Sequence, residues 1–134
     1  MTSDAREFQF ANLHRLAMTE LVAHDGKGRI RFCRVASRAK NSEPLPSPLT
    51  RGACNFIDYS ILPVGTAIGR HTHRDNEEEF YLIFRGRGRY FCNGQTMDVG
   101  PGDLVRNPPG GTHGLENIGA EELALFVFEV EVPQ

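Results

Sequence analysis

Short runs of alternating polar and apolar residues, separated by turn chemistry, fill most of this 134-residue chain. Between Arg29 and Val35 the positions Ile30, Phe32 and Arg34 alternate with Arg31, Cys33 and Val35, which predicts a strand. Asn55 to Leu62 predicts a second, closed by Pro63-Val64-Gly65. Ala67 to His73 predicts a third, with Ala67, Gly69, His71 and His73 on one face. Arg74 to Glu78 is polar and reads as a turn. Glu79 then opens the apolar run Phe80 to Phe84. Arg89–Cys92 and Gln95–Val99 flank Asn93-Gly94, the residue pair that a type I′ hairpin favours. Leu104–Asn107, Thr112–Asn117 and Leu123–Val132 complete the set. Many short strands joined by turns predict an all-β domain.

Two regions escape this rhythm. Before residue 26, Phe8 and Phe10 alternate like a strand, whereas Leu13, Leu16, Ala17 and Glu20 suggest a helical turn. We expect an N-terminal arm over residues 1–25, packed on the domain or on a partner, and one domain over 26–134. Ser37 to Arg51 contains Pro44, Pro46 and Pro48 and predicts a loop, because proline cannot donate to a ladder. The strand beginning at Glu79 sets Glu79, Tyr81 and Ile83 on one face and Phe80, Leu82 and Phe84 on the other. An outward row of large apolar groups needs cover, so a homodimer is expected.

Composition narrows the function. A net charge of −2 leaves no nucleic-acid footprint. No apolar run approaches membrane-spanning length, and the N-terminus lacks a signal-peptide core. Cys33, Cys54 and Cys92 form no Cys-x-x-Cys pair; an odd, scattered set fits a reducing cytoplasm.

The chemistry gathers between Gly65 and Asn117. His71 and His73 are two apart, so on a strand both rings leave one face. Glu79 follows, and the bend Pro108-Pro109-Gly110-Gly111 can return His113 to the same place. Three imidazoles and one carboxylate suit a first-row divalent metal such as Fe, Mn, Ni, Cu or Zn. Tyr81 shares a face with Glu79. Arg106 and Asn107 lie on opposite faces, so one of them points inward. Asn117 shares a face with His113 and reads as structural. His14 and His24 gather no donors and are expected at the surface.

This stretch resembles a cupin. Gly65, His71, His73, Glu79 and Gly86 follow the first cupin motif, with one extra residue between His73 and the acid. Gly102, Pro108, Gly110, His113 and Asn117 follow the second without departure. Counting forward from His73 favours Glu78 as the acid, and counting back from Gly86 favours Glu79. Glu79 is preferred over Glu77 and Glu78, because a polar turn absorbs an insertion more easily than a paired strand. The resemblance implies a jelly-roll β-barrel with a metal held by His71, His73, Glu79 and His113. It also implies a small-molecule substrate or ligand, and a tyrosine near the metal, here Tyr81, acting as a base in some lyases. The expected activity is a metal-dependent isomerisation, cyclisation or lyase reaction on a small oxygen-rich metabolite. An Fe(II)-dependent dioxygenase and a non-catalytic binding or sensing module are the alternatives.

Overall fold

The structure, a computed structural model, describes residues 8–38 and 47–134. Among the described residues, eleven strands form two sheets. They are β1 (Thr19–Leu21), β2 (Ile30–Ser37), β3 (Leu49–Thr50), β4 (Phe56–Leu62), β5 (Ala67–Thr72) and β6 (Glu77–Arg85). Then come β7 (Gly88–Cys92), β8 (Gln95–Val99), β9 (Leu104–Asn107), β10 (Thr112–Asn117) and β11 (Leu123–Glu131). The larger sheet runs β1-β2-β4-β11-β6-β9, with β3 added parallel to β2; the smaller runs β5-β10-β7-β8. All other pairings are antiparallel. Helical structure among the described residues is confined to single 3₁₀ turns at Leu13–Arg15 and Ala23–Asp25.

The period-2 pattern explains the layering. On β6, Glu79, Tyr81 and Ile83 are buried between the sheets, while the residues alternating with them face outward. Leu62, Ile83, Leu123 and Leu125 are fully buried, and each such side chain contributes about 1.5–3 kcal/mol relative to exposure. The predicted hairpin is present, with Asn93 at φ 48° and Gly94 at φ 85° as a type I′ turn requires. On the outer face Tyr59, Phe84 and Phe126 form a mutual cluster, with ring centroids 5.3–5.7 Å apart.

Three local expectations change. The polar stretch read as a turn yields to β6 two residues early, because Glu77 and Glu78 pair with Glu131 and Val130. The uniform alternation expected along β5 fails. Its pairing with β10 shifts between His113 and Leu115, so Ile68 opposes Leu115 in the core while Ala67 opposes Glu116. Small residues therefore do not line the space beneath His71. The proline-containing loop is described only at its ends; positions 39–46 lie outside the described residues, and Leu49–Thr50 pairs with β2.

Within the segment expected as an arm, residues 1–7 lie outside the described set. Phe8 and Phe10 are exposed and stacked on each other rather than paired in a strand. Thr19–Leu21 adds an edge strand to β2, and Ala23 is buried in the core.

Candidate metal centre

Four side chains meet between the sheets. His71 leaves β5 directly opposite His113 on β10. His73 lies just past the end of β5, where its backbone N–H donates to the Gly111 carbonyl at 3.1 Å. Glu79 enters from β6 in the other sheet. The bend before His113 is pinned from within: Asn107 Nδ2 donates to the Gly111 carbonyl at 3.1 Å. Any side chain at Gly111 would collide with Asn107 Oδ1. As a result His73 Nε2 lies 3.1 Å from His113 Nε2, and Glu79 Oε1 lies 3.3 and 2.9 Å from those two nitrogens. One donor atom from each of His71, His73, Glu79 and His113 lies within 4.8 Å of the others.

The outer nitrogen of every imidazole is already engaged. His71 Nδ1 is 2.8 Å from the Gly69 carbonyl, His73 Nδ1 is 3.1 Å from Glu129 Oε1, and His113 Nδ1 is 2.9 Å from the Tyr90 hydroxyl. With the proton on Nδ1, His71 donates to a carbonyl, His73 to a carboxylate and His113 to a phenol oxygen. Each Nε2 lone pair is then free to face the shared centre. This is how proteins fix the tautomer of metal-ligating histidines.

The local field favours positive charge. Burial opposes a charged His73, yet its hydrogen bonds to Glu129 and Glu79 raise its pKa to about 10. Burial would raise Glu79, but hydrogen bonds from His113 and His73 hold it at about 2. Burial lowers His71 to about 4, and among the described residues no carboxylate hydrogen-bonds to it. A divalent ion would take the place of the His73 proton, since ligation requires neutral imidazole. The donor set thus fits a divalent transition metal in ligand type, tautomer and charge.

The remaining residues named from the sequence sort clearly. Glu78 turns outward and pairs with Arg106 at 2.6 Å, whereas Glu79 is buried among the imidazoles. Glu77 Oε1 accepts from the Arg74 backbone N–H at 2.9 Å and lies 3.7 Å from His73 Nδ1. Asn107 is the inward member of its pair with Arg106, and it serves the bend rather than the cavity. Asn117 Nδ2 donates to the Leu62 and Glu121 carbonyls, tying two strand ends together. Tyr81 is buried with its hydroxyl 3.5 Å from His113 Nε2. Burial raises its pKa well above the ordinary phenol value.

Sequence reasoning missed Tyr90 and Glu129, which reach the imidazoles from β7 and β11. It also left His24 at the surface. The residue is exposed overall, but one face of its ring stacks on His71 with centroids 3.5 Å apart and planes 9° apart. The approach depends on glycines, because a side chain at Gly69 would strike the His24 carbonyl and one at Gly26 the Ala67 carbonyl.

His71, His73 and Glu79 line a cavity of about 570 Å³ between the sheets, with His113 fully buried behind them. Ile30, Phe32, Phe56, Ile68 and Val127 form apolar walls, and Arg34 and Asp58 lie within it.

A family model described as a cupin domain matches residues 59–129, more than half of the chain. The chain belongs to the cupin family. This cupin is 36% identical over 62 residues to an oxalate-binding protein of Thermotoga maritima, covering 46% of this chain and 50% of that one. It is 32% identical over 84 residues to an uncharacterized protein of Methanocaldococcus jannaschii, covering 63% and 66%. The chain therefore spans half to two thirds of the length of these curated relatives. Among solved structures it resembles a predicted oxalate decarboxylase from Thermotoga maritima, with TM-score 0.80, 21% identity, and coverage of 92% of this chain and 99% of that one. It also resembles KdgF from a Halomonas species, with TM-score 0.65, 13% identity, and coverage of 96% of both chains. At these identities the structural likenesses establish the cupin fold alone.

Proposed function

We propose that this cupin is a metal-dependent enzyme acting on a small, oxygen-rich organic acid by non-redox chemistry of the isomerase, cyclase or lyase kind. The observation that supports this most directly is the set of engaged Nδ1 atoms, which turns three Nε2 lone pairs and Glu79 Oε1 toward one point in an open cavity. His71, His73, Glu79 and His113 would hold one divalent ion. When bound, such an ion supplies Lewis acidity to ligand oxygens.

Groups of the chain itself set the conditions around that point. Tyr81 keeps its proton at neutral pH, because burial disfavours the phenolate. Its hydroxyl, 3.5 Å from His113 Nε2, would exchange a proton with a ligand bound beside the donor centre. Ile68, Val127 and the inner aromatic groups exclude water from the ligand's carbon skeleton and strengthen every polar contact beside it. The outer aromatic cluster of Tyr59, Phe84 and Phe126 would take a second copy of the chain, making the working unit a homodimer.

The oxalate-binding relative favours a second reading, capture of a small acid without turnover. One experiment separates these readings. Metal-loaded protein is incubated with oxalate and a panel of small hydroxy and oxo acids, with and without oxygen, and products are monitored by mass spectrometry. Anaerobic turnover that Tyr81→Phe abolishes supports the proposal. Binding without conversion supports the capture reading. Conversion only with oxygen and Fe(II) would replace the proposal with a dioxygenase.

A further inference from the structure

Arg34 stands on the inner face of β2, opposite Asp58 on β4. Its Nε donates to Asp58 Oδ1 at 2.9 Å and its Nη2 to Asp58 Oδ2 at 3.1 Å. The guanidinium carbon lies 3.9 Å from the centre of the Phe56 ring. The fork is therefore fixed in plane and direction by two independent contacts. A guanidinium has two edges that can each grip a carboxylate, one through Nε and Nη2 and the other through Nη1 and Nη2. Asp58 occupies the first. The second has no hydrogen-bond partner among the described residues, and Arg34 lines the same cavity as His71, His73 and Glu79.

An ion pair in this position is costly for the fold alone. The two side chains are only 27% and 12% exposed, and replacing such a pair by apolar groups is often neutral or stabilising. Sheet register then sets the spacing. Phe56 pairs with Glu129, and Glu129 pairs with Glu79, so the Phe56 ring beneath the guanidinium lies two strands from the metal-ligating carboxylate. Two inter-strand steps are about 10 Å. Arg34 and the donors His71, His73 and Glu79 line one cavity, so a ligand that joins them has to span about that distance.

We propose that the open edge of Arg34 receives a carboxylate of the ligand, so that the ligand is an acid with metal-binding oxygens at one end and a second carboxylate several carbons away. Asp58 holds the fork in place and offsets part of its charge, which favours a singly charged terminal group. Apolar contact with Phe32, Phe56 and Val127 suits the carbon chain between the two ends. The inference rests on the metal-centre reading, and its test keeps the two apart.

The probes are oxalate, which addresses the metal end alone, and the pair 2-hydroxyglutarate and its 5-amide, which differ only at the distal carboxylate. Binding to Mn(II)-loaded protein is measured by calorimetry, after elemental analysis of the loaded protein. The wild type should prefer the acid to the amide by about tenfold, the worth of one charge-assisted contact. Arg34→Met should bind acid and amide equally and leave oxalate affinity unchanged. Because Arg34→Met orphans Asp58, the pair Arg34→Met with Asp58→Asn is measured beside it and should behave alike. Equal binding of acid and amide by the wild type, or a preference surviving both variants, overturns the role of Arg34 while leaving the metal centre standing. Failure of the wild type to hold Mn(II), or of oxalate to bind the loaded protein, overturns the metal-centre reading and this inference with it.

Discussion

The hydroxyl of Tyr90 lies 2.9 Å from Nδ1 of His113, on the side of the ring away from the other donors. That contact holds the fully buried His113 ring so that Nε2 faces Glu79. Tyr90→Phe should leave the strands intact and lower metal affinity by about tenfold or more. Competition with a coloured chelator reads the change, and unaltered affinity would show that Tyr90 does not position the ring.

Glu78 and Glu79 are adjacent and chemically identical but face opposite sides of β6. Glu79→Gln should strip most of the metal during dialysis at neutral pH. Glu78→Gln loses only an exposed pair with Arg106 and should retain the metal, with stability changed by about 1 kcal/mol or less. Reversal of the two phenotypes would place the ligand one residue earlier.

The metal-free protein should have a maximum in stability near pH 6.5. Glu79 is held at about 2, so its contribution is complete above its unfolded value and is lost as the pH falls toward 2. His71 is held at about 4, so the unfolded chain binds its proton more readily and stability rises with pH from 4 to 6.5. His73 is raised to about 10; its contribution is complete below 6.5 and is lost as the pH rises toward 10. Thermal melts in chelator across this range check the sign. A melting temperature still climbing between pH 7 and 9 would contradict the assignment for His73.

Light scattering after size exclusion should give the mass of a dimer. Phe84 is 39% exposed within the outer aromatic cluster, and Phe84→Lys should shift the population to monomer without unfolding it. A wild-type monomer at micromolar concentration would leave the aromatic face without its proposed partner.

Much of the fold and the site was legible because it is local. Asn93-Gly94 announces its hairpin, the His-x-His pair announces one strand face, and the proline-glycine bend announces the return of His113. What stayed hidden depends on pairing between distant segments. Tyr90 and Glu129 sit in ordinary alternating strands, and their role arises only from the register of β7 on β10 and of β11 on β6. The burial of Ile68 comes from a shift in the β5–β10 pairing that no residue pattern marks. Glu77 and Glu78 read as turn residues by polarity, yet pair as a strand beside β11. His24 reaches His71 through close backbone contact at Gly26 and Gly69, a proximity that spacing along the chain does not encode.

The two sides of β6 carry separate duties one residue out of phase: the acid beside the imidazoles on one side, the phenylalanines on the other. Deleting Glu78 alone would thrust the Phe80 benzyl group among the imidazoles and turn the Glu79 carboxylate to the outer face. New ligand preferences in this scaffold are therefore easiest to reach by exchanging side chains at fixed positions, and a designer should leave the strand's count untouched.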